Sequence, residues 1–181
     1  TTGIPLAIIT IPKSNLGNLD AINLFQDSIW LYVCLGNIWN TNEMAGLAII
    51  DLSNPSNPNV LDVYVHKGLT GGSGSVAVKE NYAYLAANQN GLIILDISNK
   101  SKIKLKSVLA LSNTFPHSTV GSTSLYNARG IGLKDNYAYL CYDRGGLRVV
   151  DISNTDSPIQ INQYCFPPLI NKITAYNNIA I

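Results

Sequence analysis

Three aspartates recur at one position of a repeated stretch, and they are the first candidates for chemistry. Asp51, Asp96 and Asp151 each follow an apolar run and precede a Ser-Asn pair, as in GLIILDISN from Gly91. Paired carboxylates could serve as general acid and base. However, Asp-x-Ser-Asn is also a turn sequence, because aspartate side chains bond backbone amides two residues further on. We therefore interpret the three aspartates as structural turn residues, and the sequence predicts no catalytic residue.

The histidines and cysteines do not form a recognisable reactive group. His66 and His117 lie in different connecting segments. Cys34, Cys141 and Cys165 lack CxxC spacing and have no histidines clustered beside them. We therefore predict neither a metal site nor a cofactor. Strand-like neighbours favour buried free thiols at these cysteines, and one disulfide with one free thiol is the alternative.

An internal repeat supplies the elements that would position any site. The segments GLAIIDLSN, GLIILDISN and GLRVVDISN begin at Gly46, Gly91 and Gly146. VAVKENYAYLA from Val76 precedes the second segment, and IGLKDNYAYLC from Ile131 precedes the third. Repeats of about 40 to 55 residues are typical of four-stranded propeller blades.

The two ends of the chain match complementary halves of the same unit. LAIITIPKS from Leu6 matches its second half, and ITAYNNIAI from Ile173 matches its first half. INLFQDSIWLYVC from Ile22 is a blurred copy of the first half of a whole unit. The predicted single domain, 1–181, thus contains a half blade at 1–18, blades at 19–66, 73–111 and 128–168, and a half blade at 171–181.

Each whole unit is predicted to form four short strands. Asn, Asp and Gly lie between the apolar segments, where hairpin turns need them. The third strands, such as LIIL and LRVV, are nearly continuous apolar runs, which is typical of a sheet that packs on both faces. We therefore predict an all-β protein, a β-propeller of about four four-stranded blades. It is either closed by pairing of the ends or an arc of a larger propeller.

The composition excludes several function classes. The chain has 181 residues, a net charge of +1, 46% hydrophobic residues and 13% charged residues. This apolar content is too high for a disordered chain. The near-neutral charge argues against nucleic acid as a partner, because its binders carry a concentrated basic face. No apolar run reaches the length needed to span a bilayer, so no membrane span is predicted.

The repeated motif NYAYLA…GLIILDISN, with its counterpart from Asn136 and Gly146, resembles the LVIVD repeat family of bacterial and archaeal surface proteins. The resemblance implies a β-propeller and a secreted or cell-surface location. It implies no catalytic residue. The sequence departs from the motif at Thr10, which replaces the turn aspartate, and at residues 28–30, where the NYAY pattern is lost.

A binding site is expected in the loops that are not repeated. In a propeller, blade-to-blade connections and second-to-third strand connections share one face, and such loops commonly carry function. The spacing from Val76 to Ile131 exceeds that from Ile131 to Ile173, which reveals an enlarged connection near 110–130. A second enlarged loop spans 36–46, and the matching loop of the third unit spans 143–146. The candidate ligand-binding residues are Trp39, Glu43, His117, Tyr126, Arg129, Asp143 and Arg144.

The leading functional hypothesis is a non-enzymatic, extracellular interaction or structural module. Its partner would be a protein or a glycan, because aromatic and amide side chains suit both, and it could belong to a larger assembly. One alternative is a carbohydrate-active or other hydrolytic enzyme with its site in the same loops. A second alternative is a fragment of a larger extracellular repeat protein whose function lies elsewhere.

Overall fold

The fold is built from β-strands throughout the part of the chain that the computed structural model describes. No helix long and apolar enough to cross a membrane occurs among those residues. The described residues are 6–11, 19–37, 44–68, 71–111, 127–143, 145–164, 173, 175–176 and 179–180.

Blade 1 is an antiparallel sheet whose four strands follow chain order. It comprises β1 (Asp20–Asp27), β2 (Trp30–Gly36), β3 (Ala45–Asp51) and β4 (Asn59–His66). Ser28 turns the chain between β1 and β2 with a φ of 54°, in the left-handed region. The blurred first unit therefore folds like the others despite losing the NYAY pattern.

Blade 2 repeats this arrangement with shorter strands. It comprises β5 (Ser75–Lys79), β6 (Tyr82–Ala86), β7 (Leu92–Asp96) and β8 (Lys104–Leu109). Gly91 precedes β7 with a φ of 74°, a conformation that glycine adopts without steric cost. Gly146 has a φ of 75° at the same place in blade 3, so the backbone explains the glycine of the second and third GLxxxD segments, whereas Gly46 lies inside β3.

Blade 3 has the same topology. It comprises β9 (Gly130–Lys134), β10 (Tyr137–Cys141), β11 (Leu147–Asp151) and β12 (Ile159–Tyr164). The predicted all-β fold with four-stranded units is confirmed by these three sheets. Each sheet has a register shift between its third and fourth strands, so the outer strand of every blade is bulged in the same place.

The cores lie between the blades. Ile93 belongs to the cluster shared with blade 1, whereas Ile94 belongs to the cluster shared with blade 3. Neither side chain has exposed surface. Burying a side chain of this size stabilises the fold by about 2 kcal/mol. The continuous apolar runs of the third strands therefore result from packing on both faces.

Polar contacts tie the outer strands of neighbouring blades together. The Asp62 carboxylate accepts a hydrogen bond from the Ile103 amide at 2.7 Å. At the equivalent position of blade 2, the Ser107 hydroxyl donates to the Thr155 carbonyl, also at 2.7 Å. In blades 1 and 2, a residue beside the bulge of the outer strand thus reaches the third-to-fourth turn of the next blade.

The recurring aspartates cap these third-to-fourth turns. Oδ1 of Asp51, Asp96 and Asp151 accepts a hydrogen bond from the amide two residues on, at 2.7, 2.9 and 2.8 Å. Hydrogen bonds from Ser98 lower the pKa of Asp96, and hydrogen bonds from Ser153 lower the pKa of Asp151. All three carboxylates lie at the opposite end of the strands from the candidate loops.

The first strands of the blades are neighbours, so the blades share an inner side. β5 contacts β1 and β9, and β9 contacts β13 (Ala175–Tyr176), which pairs with β14 (Ile179–Ala180) in a short hairpin. Residues 6–11 form no assigned strand, although Ile9 and Ile11 pack on the outer face of blade 1. Pairing of residues 6–10 with residues 179–181, which would close the ring, stays a prediction.

Candidate functional site

The second-to-third strand loops and the blade-to-blade connections meet on one surface. The amide of Ser73 donates to the Leu35 carbonyl at 3.2 Å. Asn88 and Ala128 exchange both backbone hydrogen bonds at 3.0 Å. Each connection is therefore held by the loop of the preceding blade. We call this surface the loop face, and in the described chain it comprises residues 71–74, 87–91, 127–129, 142–143 and 145–146.

The connection from blade 1 to blade 2 is held by neutral groups, which include Asn88 of the second-to-third strand loop of blade 2. The buried Asn88 amide donates to the carbonyls of Gly71 and Gly72, the latter at 3.1 Å. The Ser73 hydroxyl accepts from the Gly46 amide at 3.1 Å and donates to the Gly46 carbonyl at 3.2 Å. We call residues 71–74 with Asn88 the blade 2 junction. Its hydrogen bonds join uncharged groups only.

The equivalent connection, from blade 2 to blade 3, is held to the second-to-third strand loop of blade 3 by an ion pair. Nε of Arg129 donates to Oδ1 of Asp143 at 3.1 Å and lies 3.4 Å from Oδ2. Asn127 Nδ2 donates to Oδ2 of Asp143 at 3.0 Å. The Arg129 amide also donates to the Cys141 carbonyl at 2.9 Å. We call residues 127–129 with Asp143 the blade 3 junction.

The two junctions occupy the same place in the repeat but differ in chemistry. Asp143 stands where Asn88 does, and both have left-handed backbones with φ near 43° and 44°. Arg129 stands where Gly74 does, and a Cβ on Gly74 would lie 2.6 Å from the Arg129 carbonyl oxygen. The Asp143 side chain is 9% exposed, whereas that of Arg129 is 32% exposed. The blade 3 junction therefore presents an arginine to solvent above a buried carboxylate.

A second basic group lies beneath the loop face, between blades 2 and 3. Arg148 has no exposed surface, and its guanidinium carbon lies 5.0 Å from the centre of the Tyr142 ring. The Tyr142 hydroxyl donates to the Leu111 carbonyl at 3.3 Å. Stacking on an aromatic face offsets part of the cost of burying the charge. Blade 2 has Ile93 at the position of Arg148.

The described cysteines and histidine are not poised for reaction. Cys34 and Cys141 are free, and burial raises the pKa of each thiol to about 12. Nδ1 of His66 lies 3.0 Å from the Tyr64 hydroxyl, and burial lowers the pKa of His66. No cluster of three or more potential metal ligands occurs in the described part of the chain. Cys165 lies outside the described residues.

The structure brings two of the predicted ligand-binding residues together, Arg129 and Asp143. The remaining five fall outside the described residues; they are Trp39, Glu43, His117, Tyr126 and Arg144.

Sequence reasoning missed three polar residues of this region. Asn88 and Asn127 lie in turn-like sequences, where an asparagine is expected for its backbone alone. Arg148 did leave a signal, because an arginine interrupts the apolar run GLRVV at a position that is apolar in the other two units.

A cleft of about 260 Å³ lies elsewhere, between residues 6–11 and blade 1. Its lining is largely apolar and carries one carboxylate, so it offers little chemistry. The lining residues are Ile9, Thr10, Ile11, Leu19, Asp20, Ala21 and Leu35.

The blades and their shared inner side define the fold class as a β-propeller of repeated four-stranded sheets. The LVIVD repeat family model matches residues 32–65, 70–110 and 127–165. The chain therefore belongs to the LVIVD repeat family. These matched segments include the two loop-face junctions.

Two computationally designed proteins of known crystal structure have a similar fold. The Ika4 protein superposes with a TM-score of 0.62 at 13% identity, over 98% of this chain and 90% of that chain. The Ika8 protein gives a TM-score of 0.57 at 12% identity, over 88% of this chain and 41% of that chain. Identities this low show the fold alone. No curated protein matches the sequence.

Proposed function

We propose that the protein is a non-enzymatic, secreted or cell-surface interaction module that binds its partner on the loop face. The observation that carries this proposal is the blade 3 junction. A repeat with a purely structural role would be expected to keep the same neutral contacts in each blade. Blade 3 instead carries Arg129 and Asp143 where blade 2 carries Gly74 and Asn88.

The scaffold beneath the junction supports the proposal. The connections are fixed by backbone hydrogen bonds on both sides, and the cores between the blades are closely packed. A side chain held on such a base loses little entropy when a ligand binds. The extracellular location is supported by the resemblance to surface proteins of the same repeat family.

A glycan array, with a panel of extracellular proteins beside it, tests the binding function. The wild-type chain is compared with an Arg129→Gln variant and with a Trp39→Ala, Tyr126→Ala double variant. Lys104→Gln is the matched control, because Lys104 is an exposed cation on the outer strand of blade 2. We expect the loop variants to lose binding that the control retains. Absence of any ligand, or equal binding by all four proteins, would refute the proposal.

Location is tested on the complete gene product in its own cells. Protease added to intact cells should cleave an extracellular propeller, or the protein should be recovered from the medium. Protection of the protein until the cells are lysed would contradict an extracellular location while leaving the binding proposal intact.

A further inference from the structure

We propose that Arg129 anchors a subsite for the carboxylate of an acidic glycan, such as a uronate or a sialate. This inference rests on the proposed function and specifies its ligand. The subsite is the Nη edge of the Arg129 guanidinium at the blade 3 junction.

The ion pair orients the guanidinium and leaves its outer edge available. Among the hydrogen bonds that the described residues make to Arg129, those of the side chain use Nε alone. A guanidinium is planar and carries five N–H donors, so fixing Nε against Asp143 fixes the direction of the other four. The side chain is 32% exposed while its Nε faces the buried carboxylate of Asp143, so we assign the exposed part to the Nη edge.

The backbone contact that ties the connection to its sheet does not need the guanidinium. In blade 2, the equivalent connection is tied to its sheet by the Gly74 amide, which donates to the Ala86 carbonyl at 2.7 Å. The Arg129 amide makes the same backbone contact in blade 3, to Cys141. Since the glycine of blade 2 suffices for this role, the guanidinium is an addition to the junction.

The available groups suit a ligand that only accepts hydrogen bonds. Both oxygens of Asp143 already accept hydrogen bonds, one from Arg129 and one from Asn127. The Asp143 side chain is 9% exposed, so it offers little acceptor surface. The Nη N–H groups of Arg129 are donors only. An ionised carboxylate only accepts hydrogen bonds, and its two oxygens match the geometry of the guanidinium. A sugar hydroxyl needs both a donor and an acceptor, so it fits this edge less well.

The rest of the described loop face favours a glycan over a protein as the source of that carboxylate. Protein interfaces have a buried apolar and aromatic core. The described loop-face residues that are not buried are glycine, amide or charged residues, and those of the blade 3 junction are Asn127 and Arg129. The Asn127 amide, which donates one hydrogen bond to Asp143, also carries an oxygen and a second N–H that suit the hydroxyls of a sugar beside the carboxylate.

The experiment uses acidic glycans, each printed beside its carboxyl-reduced, neutral counterpart, and a panel of acidic peptides. The proteins are the full wild-type chain, Arg129→Gln, Arg129→Lys and the control Lys104→Gln, with melting curves to confirm folding. We expect wild type to bind an acidic glycan about tenfold or more tightly than its reduced counterpart, since a charged hydrogen bond is lost. Arg129→Gln should abolish this preference, Arg129→Lys should retain part of it, and the control should behave as wild type.

The outcomes separate this inference from the proposed function. Equal binding of acidic and reduced glycans, or an unchanged preference in Arg129→Gln, would overturn the carboxylate subsite and leave the binding module standing. Binding of acidic peptides with no acidic glycan bound would overturn the glycan assignment alone. Failure of every glycan and peptide to bind, together with a negative extracellular protein panel, would overturn both proposals.

Discussion

The junctions of blades 2 and 3 solve one structural problem with different chemistry. Both must hold a blade-to-blade connection against a tight loop. Blade 2 does so with an amide facing two carbonyls, and blade 3 does so with a carboxylate facing an arginine and an amide. The comparison shows that the repeat tolerates charge at this position. The fold requires a hydrogen-bonded connection in both blades, and the charged pair is present in blade 3 alone of the two.

The buried residues beneath the two junctions differ in the same way as the junctions do, because the charged group again belongs to blade 3. Ala87 and Ile93 of blade 2 are fully buried apolar residues that face blade 1. Their equivalents in blade 3 are Tyr142 and Arg148, which face blade 2. A buried aromatic–cation pair thus lies directly under the charged junction, whereas an ordinary apolar core lies under the neutral one.

The largest expected effect comes from truncating the apolar member of this layer. Ile93→Ala should lower the free energy of unfolding by about 3 kcal/mol, because it leaves a cavity in a close-packed core. Arg148→Met should stay within about 1 kcal/mol of wild type or be more stable, because an apolar side chain of similar size avoids burying a charge. Urea denaturation of the two variants measures both values.

A destabilisation by Arg148→Met as large as that by Ile93→Ala would contradict this expectation. It would mean that the guanidinium holds its surroundings through its charge and hydrogen bonds.

Exchanging the loop residues of the two junctions should have unequal effects. Asn88→Asp places a buried carboxylate against the carbonyls of Gly71 and Gly72, and should cost about 2 kcal/mol. Asp143→Asn keeps an acceptor for Arg129 and should cost about 1 kcal/mol. Thermal melts of the two single variants at pH 7 provide the comparison, with Asn88→Gly as a control that keeps the left-handed backbone. Equal losses would show that the two junctions are electrostatically alike.

A smaller difference concerns the position occupied by Cys34, Ala86 and Cys141 in the three blades. Burial raises the pKa of both thiols to about 12, so at pH 8 both remain protonated in the folded protein. Iodoacetamide should therefore label them only after unfolding, as peptide mass mapping would show. Cys141→Ala should cost about 1 kcal/mol or less, because blade 2 already packs an alanine there.

The same two thiols should lower the free energy of unfolding at high pH, because they ionise less readily in the folded protein. The unfolded thiol ionises near pH 8.5 and the folded thiol near pH 12, so the stabilisation is complete below about pH 8. It should decline as the pH rises above that value. Rapid labelling of Cys34 and Cys141 in the folded protein at pH 8 would contradict the burial of these side chains.

Much of the fold was predictable because each blade repeats its own local signals. The Asp-x-Ser-Asn turns, the glycines before the third strands and the apolar third strands all specify the same four-stranded unit. The site was less predictable, because Arg129 and Asp143 meet only after β9 and β10 have paired. Arg148 was visible in GLRVV, but its burial depends on the face of β11 that packs against blade 2. The pairing of the chain ends depends on long-range contacts and stays a prediction.

The account depends most on the claim that the blade 3 junction binds a ligand whereas the blade 2 junction only supports the fold. Titration of the ¹⁵N-labelled chain with the acidic glycan selected on the array tests this claim residue by residue. We expect amide shifts at residues 127–129, 142–143 and 145–146, and little change at residues 71–74 and 88–91. Equal shifts at both junctions, or shifts confined to the outer strands, would contradict the account.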